Sequence, residues 1–243
     1  MSIMTIVHTA DLHGDRRHGA IEAASSLLRH CPNAVWVDSG DALAAPNITL
    51  GTRWERSLER MSVAGCSAMA LGNREFELFA PALGWKLGGA RFPVVCTNMT
   101  HPRPDKVRVR SQVSLRVGGR RVRILGALRD MTARLVPRGL SGFRFRDPVA
   151  SLAEAVSDAA TGELVVLLSH LGQEADLNIL ESVCRIDLVL GGHDHVGWCA
   201  AVGSRAAVAP EPLGRQVAVI RVPGGTERPD VRLVRPDGEW GCS

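Results

Sequence analysis

The sequence predicts an α/β fold whose strands run into polar turns at one edge. Three observations carry this. Short apolar, β-branched runs alternate with stretches whose apolar residues recur at helical spacing, the pattern of strands followed by helices. Five of the apolar runs end in a turn that holds Asp, Asn or His. A further segment, Val107 to Leu128, alternates apolar with polar residues and is interrupted by Gly118-Gly119, which marks a β-hairpin.

Taken in order, Met4 to His8 is a buried strand that opens into Thr9-Ala10-Asp11-Leu12-His13-Gly14. Ala20 to His30 follows as a helix with Ile21, Ala24, Leu27 and Leu28 on one face. Ala34 to Val37 is a second strand, ending in Asp38-Ser39-Gly40-Asp41. A helix is expected over Thr52 to Met61, stopping near Gly65. Ala68 to Leu71 is a third strand and runs into Gly72-Asn73-Arg74-Glu75, with a helix expected from Phe76 to Leu87. Pro93 to Thr97 is a fourth strand. Beyond the hairpin, Arg129 to Arg146 has loop composition and is a candidate lid. Pro148 to Ala160 reads as a helix with proline in its first turn. Glu163 to Leu168 is a strand ending in Ser169-His170-Leu171-Gly172, and Glu174 to Arg185 is a helix. Ile186 to Leu190 then leads into Gly191-Gly192-His193-Asp194-His195. Val217 to Arg221 and Val231 to Arg235 alternate as closing strands.

Bulk composition narrows the class. With 243 residues, of which 45% are hydrophobic, the chain can bury a large core, and it is expected to form one domain over residues 1–243. No apolar run reaches membrane-spanning length, so no membrane partner is expected. The N-terminus enters a strand without a basic start or cleavage site, so a cytoplasmic protein is expected. The six cysteines include no Cys-x-x-Cys pair, and most are expected to be buried thiols. The net charge of +4 suits an anionic substrate, but few aromatics and no tyrosine argue against a base-stacking surface, so nucleic acid is not the expected partner. The hairpin arginines are expected on a solvated face.

The polar strand ends are the chemistry. Asp11 and His13 are two apart, so both leave their strand on one side. Asp41, Asn73 and His170 each follow another apolar run, and His193 and His195 together follow the fifth. The set supplies imidazole and oxygen donors and no thiolate, which suits Mn, Fe, Zn, Ni or Co, and two such cations sharing a carboxylate would form a phosphoryl-transfer site. His8 lies inside its strand and is expected to be a core or supporting histidine. Asp38 is expected to cap its turn, and Asp194 to face solvent or support a ligand.

These blocks resemble the calcineurin-like metallophosphoesterase superfamily. Asp11-Leu12-His13, Gly40-Asp41, Gly72-Asn73-Arg74-Glu75, His170 and Gly192-His193-Asp194-His195 follow its motifs in order. Their flanks are most similar to the catalytic domain of 5′-nucleotidases, and the resemblance covers roughly Met4 to Val222. It implies a four-layer α-β-β-α sandwich, two mixed sheets flanked by helices. The secreted 5′-nucleotidases carry an additional nucleoside-binding domain, and from its length this chain is expected to have none. The resemblance implies that Asp11, His13 and His195 hold one divalent metal ion and that Asn73, His170 and His193 hold the second. Asp41 would bridge the two and let them sit close enough to ionise the water between them, so it counts among the catalytic residues.

One position departs from the pattern. Arg74 stands where the family has a histidine that contacts the phosphate and protonates the leaving oxygen. A guanidinium binds phosphate oxygens well but keeps its proton. Arg74 is therefore expected to bind the phosphoryl group. The acid would be supplied by another group (His18, His101 and Glu75 are the candidates) or not needed at all. The expected activity is a dinuclear metal-dependent phosphatase acting on a small phosphate monoester, a nucleotide or a phosphorylated biosynthetic intermediate. A phosphodiesterase or nuclease on the same site is one alternative, and a non-catalytic scaffold on the same fold is another.

Overall fold

The computed structural model describes residues 3–15, 17–31, 33–48, 56–132, 140–225 and 227–238. The first half of the chain builds β1 (Met4–Thr9), α1 (Ala20–His30), β2 (Ala34–Asp38), α2 (Arg56–Ala64), β3 (Cys66–Ala70), α3 (Ala80–Lys86), β4 (Val94–Val95), β5 (Met99–Thr100) and β6 (Val109–Arg110). The second half builds β7 (Gln112–Val117), β8 (Arg120–Leu128), β9 (Arg144–Phe145), α4 (Pro148–Ala155), β10 (Leu164–His170), α5 (Gln173–Ser182), β11 (Leu188–Leu190), β12 (Trp198–Val202), β13 (Arg205–Ala209), β14 (Val217–Val222) and β15 (Asp230–Val234).

Two mixed sheets result. One has the order β15-β14-β1-β2-β3-β4-β6, the other β12-β13-β11-β10-β8-β7, and β5 pairs with β9 apart from both. Period-two alternation decides what each strand buries. Ile6, Val35, Val37 and Ala68 of the first sheet meet Ile124, Val166, Leu168 and Leu190 of the second in an apolar layer between the sheets. The residues of opposite phase, Val7, Trp36 and Met69, face outward and are covered by Leu27 of α1, Leu58 and Met61 of α2 and Leu83 of α3. On the far side, Leu125, Val165, Leu167 and Val189 are covered by Leu152 of α4 and Ile179 and Leu180 of α5. The order is therefore helix, sheet, sheet, helix, the expected four-layer sandwich. Each such side chain, fully buried, contributes roughly 1.5–3 kcal/mol.

Several boundaries differ from the sequence reading. The helix expected from Phe76 starts only at Ala80, because Pro81 has no N–H to donate and is tolerated in a first turn but not inside a helix. The hairpin is present, with Val117 opposite Arg120 and positive φ at Gly118 and Gly119, but it begins at Gln112. Val109–Arg110 belongs to the other sheet, parallel to β4, so the chain changes sheets at Ser111. Among the hairpin arginines, Arg123 is buried and bonds Asp158 and Glu163 instead of facing solvent. The pair β12 and β13 had no sequence signal. Thr52 to Glu55 of the second helix and 133–139 of the candidate lid lie outside the described residues. Cys66 and Cys96 are buried thiols, Cys184 and Cys199 are free but exposed, and Cys31 is disulfide-bonded. No helix among the described residues is long and apolar enough to cross a membrane.

Candidate metal centre

Strands β1, β2, β3 and β4 are mutually parallel, as are β8, β10, β11 and β13. Each set delivers its carboxyl ends to one edge, where open α/β sheets place their sites. The loops after β1, β2 and β3 carry Asp11 and His13, Asp41, and Asn73. His170 is the last residue of β10, and His193 and His195 follow β11. All seven converge at that edge.

Backbone bonds hold the loops in place past the strand ends. Asp11 N–H donates to Gly40 O at 3.0 Å, His13 N–H to Asp41 O at 3.0 Å and Gly14 N–H to Ala42 O at 2.9 Å, so the β1 and β2 loops continue as a ladder. Asp11, His13, Asp41, His193 and His195 all have positive φ, between 45° and 85°. Such conformations are uncommon without glycine and cluster at functional sites. Gly72 and Gly40 pack against each other across the loops. A Cβ on Gly72 would fall on the Asp41 amide and 2.5 Å from Asp41 Oδ1, so only glycine fits.

The side chains form two groups around shared carboxylates. Asp11 Oδ1 lies 3.4 Å from His195 Nε2 and 4.0 Å from His13 Nε2. Asp41 Oδ1 lies 3.3 Å from His170 Nε2, while Asp41 Oδ2 lies 3.7 Å from His13 Nε2 and accepts the Asn73 amide at 3.0 Å. The two oxygens of Asp41 thus face different halves of the cluster. The His170 and His193 rings are 5.1 Å apart and those of His13 and His195 4.8 Å. Asp11, His13 and His195 place donor atoms close enough for one cation, and so do Asp11, Asp41 and His170. Asp11 therefore borders both positions, which the sequence did not indicate.

The buried polar atoms test whether metal fits. Asp11 Oδ1, His13 Nε2, Asn73 Oδ1, His170 Nε2 and His193 Nδ1 are buried and have no hydrogen-bond partner. Leaving such atoms unsatisfied costs about 1–3 kcal/mol each, so their gathering at one strand edge favours a bound ligand there. Divalent cations match nitrogen and oxygen donors of this kind. The donors are also oriented from behind. His170 Nδ1–H donates to Ser39 O at 2.8 Å, which turns Nε2 towards Asp41 as the nitrogen that would bind a cation in place of its proton. His193 N–H donates to Asp11 Oδ2 at 2.9 Å, and Ser39 Oγ donates to Leu190 O at 2.6 Å, tying one sheet to the other.

Electrostatics favour a cation. Burial works against ionisation of Asp41, but His13, His170 and the Arg74 amide outweigh it and hold the carboxyl well below its usual range. Burial lowers the pKa of His170, but Asp41, Asp11 and Glu75 more than reverse this and lift it to about 9. The carboxylates thus attract positive charge into the cluster. Burial, with the charges of His170 and Arg129, keeps His193 neutral by lowering it to about 4.

The supporting residues take clear places. Glu75 is fully buried, and its carboxylate accepts from Asp41 N–H at 2.8 Å, Leu43 N–H at 3.0 Å and Gly72 N–H at 3.1 Å. It clamps the loops together and is not placed to be an acid. His8 is buried in β1 with Nε2 2.8 Å from Ser39 Oγ, below the cluster. Asp38 accepts from Gly40 N–H and Thr9 Oγ1, capping its turn. Asp194 is exposed and accepts from Gln173 N–H at the start of α5. His101 packs on Phe143 and bonds Arg103, and His18 is exposed. Arg74 places Nε 3.7 Å from Asp41 Oδ2 and donates from Nη1 to the carbonyls of Ala44 and Ala45, both at 3.1 Å. Its fork is thus partly committed to the loop after Asp41. Two neighbours had gone unnoticed in the sequence: Asn47, 3.4 Å from the Asn73 amide, and Arg129 near His193. Neither sits in a motif.

Two packed sheets with nitrogen and oxygen donors gathered at their parallel strand ends define a class of protein built to hold divalent metal. The model of the calcineurin-like phosphoesterase family matches residues 4–197, and the chain belongs to that family. It is 28% identical over 225 residues to the 5′-nucleotidase of Mus musculus, covering 79% of this chain and 38% of that protein. The structure of a 5′-nucleotidase precursor from Thermus thermophilus superposes with a TM-score of 0.78 at 23% identity, covering 97% of this chain and 55% of the other. The calcineurin-like phosphoesterase YfkN of Bacillus subtilis superposes with a TM-score of 0.74 at 18% identity, covering 97% and 91%. The chain spans well under half the length of the curated relatives, including 16% of YfkN, the trifunctional nucleotide phosphoesterase of Bacillus subtilis.

Proposed function

We propose that Asp11, His13 and His195 hold one divalent cation, that Asn73, His170 and His193 hold a second, and that Asp41 bridges them. We propose that the site hydrolyses a small phosphate monoester, in the manner of the 5′-nucleotidases it resembles. The observation that carries this reading is the convergence of five partnerless buried donor atoms around a carboxylate whose two oxygens face both halves of the cluster. Bound there, the cations would lower the pKa of a water and neutralise charge on the phosphoryl oxygens. The chain's own residues do the rest. Asp41 fixes the spacing of the two positions. Glu75 and the Gly40–Gly72 contact hold Asp41 and Asn73 in register. Arg74 beside Asp41 and Arg129 near His193 add positive charge for a dianionic phosphoryl group. Nucleotides are the first substrates to try, since the named relatives act on them, with the monophosphates testing an alkyl ester and the di- and triphosphates an anhydride.

The test is metal content together with turnover. Purified protein should carry or take up about two equivalents of divalent metal, and the loaded protein should hydrolyse p-nitrophenyl phosphate faster than bis-p-nitrophenyl phosphate. The opposite preference would favour the phosphodiesterase reading. Failure to bind any metal, with no hydrolysis of either ester, would leave only a scaffold.

A further inference from the structure

Resting on that reading, we propose that the site is specific for phosphoryl groups whose leaving oxygen departs as an anion. Its substrates would be phosphoric anhydrides, acyl phosphates or aryl phosphates, and not alkyl esters. The argument is an inventory of the side chains that could give a proton to the leaving oxygen at neutral pH. Asp176 is wholly buried where α5 meets Gly191, and Asp38 is wholly buried and caps its turn, so neither is open to a bound ester. Cys184 follows α5 and Cys199 lies in β12, both exposed and outside the cluster. The chain has no tyrosine, and its lysines are Lys86 and Lys106. Lys86 bonds Glu77 at 2.9 Å, and Lys106 is exposed beside Asp105. All eight histidines fall within the described residues. His13, His170, His193 and His195 belong to the metal cluster. His8 is buried beneath it against Ser39, and His30 bonds Ser26 on α1. His101 is held by Phe143 and Arg103. Glu75 spends its carboxylate on three backbone N–H groups. Of the free cysteines, Cys66 and Cys96 are buried in β3 and beside β4, and burial pushes both thiols up.

Besides the proposed metal ligands, the side chain beside Asp41 is Arg74, and it cannot serve. A guanidinium stays protonated throughout the working range. It can hold phosphoryl oxygens and offset charge, but it gives no proton to a departing oxygen. Three of its five N–H groups are engaged or turned towards the protein, through Nη1 to Ala44 and Ala45 and Nε near Asp41. Those bonds fix it beside the cluster and prevent it from swinging aside for another donor.

The step then balances without an acid. The oxygen of water forms a bond to phosphorus, and the bond from phosphorus to the leaving oxygen breaks with its electron pair. The leaving group carries that negative charge away, and the proton lost by water goes to solvent. Such departure is fast when the leaving group is a weak base and very slow when it is an alkoxide.

The experiment is a leaving-group series on the metal-loaded protein: dinitrophenyl, nitrophenyl and phenyl phosphate, then a simple alkyl phosphate, with kcat/KM measured for each. The expected result is a steep fall along the series, with the alkyl ester at least ~10²-fold below the dinitrophenyl ester, the smallest contribution typical of a general acid. Arg74→His should flatten that fall and add an alkaline limb to the pH profile where the imidazole loses its proton. Arg74→Gln should slow every ester alike, leave the slope steep and weaken calorimetric binding of inorganic phosphate. His18→Asn should leave the slope unchanged, since His18 is exposed and outside the cluster. Alkyl and aryl esters turned over at similar rates would overturn the inference while leaving the phosphoesterase reading intact. A steeper slope in His18→Asn would name His18 as the donor and also overturn it. No hydrolysis of even the dinitrophenyl ester would sink the phosphoesterase reading itself.

Discussion

Removing the Glu75 carboxylate tests how the centre is held together. Glu75 is fully buried and touches no donor in the cluster directly through a metal-facing atom. It accepts three N–H groups, from Asp41 and Leu43 after β2 and from Gly72 after β3. In Glu75→Ala all three become orphaned buried donors, at about 1–3 kcal/mol each, or ~3–9 kcal/mol in sum. Some of this is returned. Burial and the charge of Asp41 both push the Glu75 carboxyl up, so the native protein already carries a strained negative charge there that alanine removes. A net loss of about 3–5 kcal/mol is expected, the range found when a buried charge network is broken on one side. Glu75→Gln keeps one oxygen for Asp41 and Gly72 but turns an NH₂ towards the Leu43 N–H, so about 1–3 kcal/mol is expected. Urea unfolding of the metal-free protein gives both values, and calorimetric titration with Mn or Zn gives metal affinity. Both variants should bind metal more weakly, because Asp41 and Asn73 lose their common anchor. Wild-type stability and affinity in Glu75→Ala would refute the clamp.

Stripping the metal with a chelator should lower the melting temperature. At metal levels about 100-fold above the dissociation constant, binding stabilises by ~2.7 kcal/mol, and a chain of this size melts about 2–4 °C lower per kcal/mol lost, so a drop of roughly 5–10 °C is expected by calorimetric scan. His8 sets a pH dependence. Burial lowers its pKa from 6.5 to about 3, so between those values the unfolded chain binds a proton that the folded one refuses. Stability is therefore complete above pH 6.5 and falls as the pH drops towards 3, by about 2 kcal/mol at pH 5. His8→Gln should remove that slope from a series of denaturation curves at pH 4 to 7, and an unchanged slope would assign the acid sensitivity to other groups.

The sequence by itself determined the layers and which polar side chains stand at the strand ends. Period-two alternation in Ile6-Val7 and Val166-Leu167 already states that each strand buries both faces, one against a sheet and one against helices. Asp11, His13, Asp41, Asn73, His170, His193 and His195 were each legible because a strand that stops in a polar or glycine turn is a local pattern. The edge at which they meet followed from parallel pairing. What only the tertiary structure decided depends on contacts between residues far apart in the chain. The bond from His193 N–H to Asp11 spans 182 residues and the bond from Ser39 to Leu190 spans 151, and no local signal encodes either. Five of the seven residues take left-handed backbone, which Asp and His tolerate better than most residues but which no local signal demands, and at Asp11, His13 and Asp41 the ladder between the loops holds it. Val109–Arg110 alternates like the hairpin it precedes but pairs with β4, because alternation specifies a face and not a partner. Arg74 could be seen in the sequence as a departure, but its hold on Ala44 and Ala45 could not. Hydrogen bonds from a long side chain depend on where a neighbouring loop comes to rest, and that is settled only when the sheets have closed.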